Sequence, residues 1–184
     1  MADNMLELTS AATVYLGLGS NLGDRAKNLE RAIELIGRRL KILHLSPVYE
    51  TEPVGVPDQP KFLNMAVEVQ THLPPENLLT LLKGMEKMLG RGTAGSDAPR
   101  VIDIDILFYG DLKMTSDSLT IPHPRLPKRA FVLAPLNDLA PRLKHPVTKK
   151  TVAEMLAALG KYKGVEEYKP PPPVEEEPAD AGSR

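Results

Sequence analysis

The 184-residue chain carries 18 Pro and no Cys, with 42% apolar and 4% aromatic residues and a formal net charge of −1. That length supports one domain with its own core, and a chain without Cys excludes disulfides and thiolate metal sites and suits a reducing compartment. No apolar run approaches the roughly 18 residues of a membrane span, and the acidic start at Met1–Glu7 is not a secretory signal, so a cytoplasmic protein without membrane attachment is expected. Residues 166–184 hold six acids against two bases; taken from totals of 24 and 23, this leaves a body of +3. A mildly basic body suits a small anionic ligand better than duplex nucleic acid, which calls for a strongly basic footprint.

In chain order, residues 1–12 read as an N-terminal extension. Thr13–Gly19 is a short apolar run, predicting a strand. Asp24 precedes Leu29, Ala32, Ile33, Ile36 and Leu40 at helical spacing. Strand character returns over Ile42–Thr51, and a loop rich in Pro and Gly follows. Leu63, Met65, Val67 and Val69 then alternate with Phe62, Asn64, Glu68 and Gln70, the pattern of a strand buried on one face. Pro74-Pro75-Glu76 opens a helix carrying Leu78, Leu81, Leu82, Met85, Met88 and Leu89, closed by Gly90.

Arg100–Tyr109 predicts another strand, and helical spacing recurs over Lys128–Leu139 and Val152–Leu159. The order strand, helix, strand, strand, helix, strand predicts an α+β fold with a ferredoxin-like βαββαβ core. Its antiparallel sheet carries helices on one face and leaves the other for a ligand. The domain is expected over residues 13–165 with a C-terminal helix. Residues 166–184, with four consecutive Pro and an acid cluster, are expected to form a disordered tail.

Asp103 and Asp105 are the sharpest chemical signal. On a strand they share a face about 6.6 Å apart along the backbone, while Ile102, Ile104 and Ile106 point to the other side. Two carboxylates about 5 Å apart repel by roughly 3 kcal/mol at an effective dielectric near 20, and magnesium, held by carboxylates together with substrate phosphates, offsets that repulsion. The bland alternative is the exposed face of an amphipathic strand. Arg91 and Arg100 bracket a loop ending beside the pair, and Thr120, His123, Arg125, Lys128 and Arg129 lie downstream. Acids for metal and bases for phosphate are the equipment of phosphoryl transfer.

Phe62 and Asn64 share the strand face opposite Leu63 and Met65, a ring and an amide suited to a flat heterocycle with polar edges. One exposed Phe filling a gap under the loop is the alternative. Gly17-Leu18-Gly19-Ser20-Asn21-Leu22-Gly23 misses the spacing of a dinucleotide fingerprint and reads as a tight turn and helix cap. Two further readings are a palm-type nucleotidyl transferase, which needs a third acid on a neighbouring strand, and a non-catalytic RNA-binding sheet, whose central strands display aromatics.

Several segments together resemble the 6-hydroxymethyl-7,8-dihydropterin pyrophosphokinases of folate biosynthesis, over about residues 13–160. They are Leu18–Asp24, Tyr49–Gly55, Asp58–Asn64, Gly90-Arg91, Pro99–Leu107 and Ile121–Pro124. The resemblance implies transfer of pyrophosphate from ATP to the pterin hydroxymethyl group, with AMP as the other product, by a monomer that binds small molecules and no nucleic acid. It implies that Asp103 and Asp105 hold two Mg2+ ions and act with Arg91 and Arg100 in catalysis. Glu86, Arg91, Arg100, Ile106, Thr120, His123 and Arg129 match ATP-side positions. Thr51, Val54, Gly55, Phe62, Asn64 and Phe131 match the pterin side. The chain departs from well-known members at Asp97-Ala98, where they carry Trp and Gly, and at Ser118, where an Arg can reach the ATP.

Overall fold

The computed structural model describes residues 10–55, 58–90 and 98–170. Strand β1 (Ala12–Ser20) leads through Asn21–Asp24 into helix α1 (Arg25–Gly37), whose start is capped by Asp24: its carboxylate accepts the Lys27 N–H at 3.1 Å. The single strand expected over Ile42–Thr51 is two, β2 (Lys41–Leu45) and β3 (Tyr49–Thr51). Pro47 separates them, since it has no N–H for a ladder. The Ser46 hydroxyl takes up the slack by accepting the Ala66 N–H at 2.8 Å.

Strand β4 (Phe62–Thr71), helix α2 (Pro75–Met88) and strand β5 (Asp103–Tyr109) complete the βαββαβ unit. A two-stranded ribbon, β6 (Met114–Thr115) and β7 (Thr120–Ile121), follows, then a 3-10 turn at Leu126–Lys128. Helices α3 (Ala130–Leu139) and α4 (Val152–Ala158) lead to strand β8 (Val165–Glu167). The main sheet runs β5-β1-β4-β3-β8, with β2 also on β4, and its strand pairs are antiparallel. This is the ferredoxin-like order. Among the described residues no helix is long and apolar enough to cross a membrane.

Each face of the sheet carries its own core. Val14, Leu16, Leu18, Leu63, Met65, Val67, Ile102, Ile104 and Ile106 point to α1 and α2, meeting Leu29, Ile36, Leu78 and Leu82. Burial of this set supplies the main drive to fold. The opposite face is not left bare. Ala66, Leu107 and Phe108 pack there against Leu126, Leu133, Leu136, Val152 and Met155 of the C-terminal helices. This corrects the expectation of one covered face: α3 and α4 close one end of the second face and leave the other end open. A register shift between Tyr15 and Leu16 against β5 lets the adjacent Leu107 and Phe108 both serve that smaller core.

Two local expectations also change. Met88 is 75% exposed, while Glu86 is 1% exposed, so α2 docks on a face turned toward Glu86. The cause is an edge: no described strand lies beyond β5, and the outward Ile104 N–H donates to Glu86 Oε1 at 2.7 Å. At the other end, residues 166 and 167 pair with β3 as part of β8, so the ordered chain runs beyond residue 165. The rest of the expected tail from residue 171 lies outside the described residues.

Candidate active site

The open end of the second face is a cleft of about 420 Å³. Its floor follows from register. Gly19 of β1 stands between Asp103 of β5 and Asn64 of β4, and Gly17 stands between Asp105 and Ala66. Residues opposite one another share a face, so two carboxylates and one amide look into the cleft across a strand that has no side chains there. Strand spacing near 4.8 Å puts the amide row about 10 Å from the carboxylate row. A side chain at either glycine would crowd the floor: a Cβ on Gly19 would come 2.7 Å from Asn64 Oδ1, and one on Gly17 would come 3.3 Å from Leu107.

The tight turn and helix cap expected over Gly17–Gly23 are found only in its later part. Gly17 and Gly19 are strand residues; the turn begins at Asn21, and Gly23 takes the positive φ of 68°. Glycine inside a strand is the signal that pointed to a close approach.

On the β4 side, Asn64 Nδ2 donates to Thr51 Oγ1 at 2.6 Å, and both residues are buried. Phe62, Val54 and Phe131 line the same cleft, with the Arg129 guanidinium over the Phe131 ring at 5.4 Å. On the β5 side, Arg100 is ion-paired to Asp103. Lys83 of α2 reaches in, with Nζ 2.8 Å from Glu86 Oε1 and 4.0 Å from Asp105 Oδ1. His123, Arg125 and Arg129 form the remaining wall. The His123 N–H donates to Leu107 O at 3.0 Å, which fastens this wall to β5.

The charges act on one another. Asp105 opens 37% of its side-chain surface to the cleft. The protein around the rest of it, then Asp103, raise its pKa; Lys83, Arg100 and Arg129 oppose the rise. His123 is pushed down to about 4 by burial, with Arg129 and Arg125 adding to the effect. It is therefore neutral at pH 7, an imidazole that donates hydrogen bonds without charge. Burial and Arg125 likewise lower the pKa of Arg129.

Comparison with known proteins fits this geometry. The profile of the 7,8-dihydro-6-hydroxymethylpterin-pyrophosphokinase family matches residues 15–141. The chain is 43% identical over 143 residues to the 2-amino-4-hydroxy-6-hydroxymethyldihydropteridine pyrophosphokinase of Aquifex aeolicus, covering 78% of this chain and 89% of the relative.

The chain belongs to this pyrophosphokinase family.

It is also 48% identical over 141 residues to the folic acid synthesis protein of Pneumocystis carinii, covering 76% of this chain and 19% of that protein. The mitochondrial folate synthesis bifunctional protein of Pisum sativum is 48% identical over 132 residues, covering 71% of this chain and 26% of that protein. The chain thus spans only a fifth to a quarter of these longer relatives. A crystal structure of Plasmodium falciparum HPPK-DHPS A437G with SDX-DHP superposes with a TM-score of 0.68 at 20% identity, covering 85% of this chain and 47% of that one, a likeness of fold.

Of the residues singled out from sequence, Thr51, Val54, Phe62, Asn64, Arg100, Asp103, Asp105, His123, Arg129 and Phe131 meet in the cleft. Others do not line it. Ile106 is 3% exposed in the core with Ile102 and Ile104, because alternation turns its side chain away from the carboxylate face. Glu86 stands behind the wall, holding β5 and Lys83. Thr120 lies in β7 opposite Thr115, and Gly55 makes a turn with φ 83°. Arg91 lies outside the described residues. Ser118 donates to Glu76 Oε2 at 2.9 Å.

Sequence reasoning missed Lys83, though its place three residues before Glu86 on one helix face was a signal. It also missed Asn21, 1% exposed. Asn21 Oδ1 accepts the Arg100 N–H at 2.7 Å, and its Nδ2 donates to Gln59 Oε1 at 3.0 Å. One buried amide thus ties the backbone of Arg100 to the segment before Phe62.

Proposed function

We propose that the chain transfers the pyrophosphoryl group of ATP to the hydroxymethyl oxygen of 6-hydroxymethyl-7,8-dihydropterin, leaving AMP. The observation that carries this reading is the glycine-floored cleft, which sets a carboxylate pair and a ring-and-amide pocket across one bare strand. The new bond joins the pterin alcohol oxygen to the β-phosphorus as the bond from that phosphorus to the α–β bridging oxygen breaks. The electron pair of the broken bond stays on the AMP oxygen, and the alcohol proton passes to solvent water as the new bond forms.

Phe62 and Phe131 would receive the faces of the pterin, and Asn64, fixed by Thr51, its polar edge; Val54 closes the rim. The hydrogen bond that Asn64 Nδ2 already donates to Thr51 Oγ1 leaves the remaining amide groups aimed at a ligand, so little orientation is lost on binding. Arg100, His123, Arg125, Arg129 and Lys83 would hold the triphosphate, with Arg91 as a further expected contact. Guanidinium groups suit bidentate phosphate binding, and neutral His123 adds a donor.

The donor set fits magnesium: two carboxylates on one strand face offer hard oxygen ligands, and their mutual repulsion is what a dication relieves. Asp103 and Asp105 would hold two Mg2+ ions, which when bound would neutralise phosphate charge and lower the pKa of the alcohol. No group of three acid, His or Cys ligands occurs among the described residues, so nucleotide oxygens would complete the shell. Gly17 and Gly19, not an acid, occupy the strand beside β5, which disfavours a palm-type transferase. The reading takes the enzyme as a cytoplasmic monomer.

The test is AMP release from ATP. Production that requires both the hydroxymethyl pterin and Mg2+ is expected. AMP formed equally without the pterin, or no dependence on Mg2+, would sink the reading.

A further inference from the structure

Strand β8 lies outside the βαββαβ unit, yet it borders the wall assigned to the pterin. Val165 sits opposite Thr51, Glu166 opposite Glu50 and Glu167 opposite Tyr49. The Glu52 N–H donates to Gly164 O at 2.9 Å, and the Tyr168 N–H donates to Val48 O at 2.7 Å. Alternation along an antiparallel ladder makes 50/166 the pair between these two that exchanges backbone hydrogen bonds. β3 is three residues long and carries Thr51. With β4 on one side alone, such a short strand would fray; β8 gives it a second ladder.

The join at its top is shaped to fit. Gly164 has φ 69°, and a Cβ there would lie 2.5 Å from Glu52 Cγ. Only glycine accepts both the conformation and the contact. Glu52, Pro53 and Val54, just beyond this join, line the cleft. The register also places Glu166 against Glu50, a like-charge pair that by itself opposes docking. Arg25 offsets it, donating to Glu50 Oε2 and Lys61 O at 2.8 Å each. Lys61 adds a bridge to Glu52 at 3.0 Å. The segment is therefore held by backbone ladder and a glycine fit, with cations screening its acids.

We propose that residues 164–168 form a positioning clamp for the pterin pocket: β8 holds Thr51 and the Glu52–Val54 rim in place, and through Thr51 it orients Asn64. The clamp rests on the pterin reading above. Its backbone ladder runs to β3, on the pterin side, so its loss is expected to separate the two substrates.

The test uses the full-length chain carrying Gly164→Ala or Glu166→Pro, the first disturbing the fit and the second deleting a ladder N–H. Calorimetric titration measures 6-hydroxymethyl-7,8-dihydropterin with a non-hydrolysable ATP analogue and Mg2+ present, and the analogue alone. Each variant is expected to raise the pterin Kd about tenfold, or roughly 1.4 kcal/mol, with the analogue Kd within about twofold. At saturating pterin, kcat is expected to hold within about twofold while the pterin KM rises, a split that general unfolding would not give. If Glu166→Pro fails to fold, Gly164→Ala decides. Unchanged pterin affinity in a folded variant, or equal loss for both ligands, overturns the clamp alone. No pterin binding by the unaltered chain overturns the clamp and the reading beneath it.

Discussion

On the β5 side of the cleft, Asp103 and Asp105 face Lys83, Arg100, Arg125 and Arg129; on the β4 side, Asn64 and Thr51 bond to each other beside Phe62. The first wall is crowded with charge: burial, then Asp103, raise the pKa of Asp105 against the opposing pull of Lys83, Arg100 and Arg129. On the second, the Asn64 amide is already held by Thr51. A wall of unbalanced charge gains most when ligand charges arrive, so under the proposed function it is where bonds would change. A wall whose hydrogen bonds are already set gains by not having to move, so under the proposed function it is where the pterin would be recognised. Gly17 and Gly19 keep the two apart on the same face.

Substitutions should separate the walls. Asp105→Ala is expected to cut AMP formation by about 10³-fold, the scale of losing one electrostatic partner of a transition state. Pterin affinity should barely change; transfer at the normal rate would break the division of labour. Asn64→Ala should act from the other wall, weakening pterin binding on the order of 100-fold by removing a buried amide. Nucleotide affinity, measured in the same titration, should stay put. Arg100→Ala sharpens the contrast by weakening nucleotide binding roughly 30-fold through lost charge-assisted contacts, with the pterin spared. Gly19→Ala probes the floor: its methyl group would displace the Asn64 amide, and about a tenfold loss of pterin affinity is expected from that misplacement.

The smallest effect concerns acid. His123 titrates near 4 in the folded chain against 6.5 when unfolded. Between those values the unfolded state binds the extra proton, so this residue costs stability as pH falls from about 6.5 to about 4. Partial exposure to solvent limits the cost to on the order of 1 kcal/mol. His123→Gln should therefore lose less thermal stability than the unaltered chain between pH 7 and pH 4.5. Parallel melting curves would place the neutral histidine elsewhere.

Much of this molecule was legible in its residues. The alternation through Val14, Leu16 and Leu18, and through Leu63, Met65, Val67 and Val69, gives the strands and their buried face, because side-chain direction has period two. Helical spacing with Asp24 and Pro75 at the starts gives α1 and α2. Asp103 and Asp105 share a face by the same arithmetic. The break at Pro47 was also visible, though the apolar run around it hid the division.

Partnership across the sheet was another matter. That Gly19 lies between Asp103 and Asn64 depends on which strands are neighbours and in what register, and no local spacing records that. The burial of Glu86 depends on β5 being an edge with an N–H to satisfy. The strand formed by Val165–Glu167 depends on β3 having a free side, so an acidic segment that looked like tail became structure. Local pattern determines the elements and the face each side chain takes, since both follow from backbone geometry. Tertiary structure alone decides which faces meet, because contacts between residues far apart in the chain, such as Gly19 with Asn64 or Thr51 with Val165, are set by packing the whole chain at once.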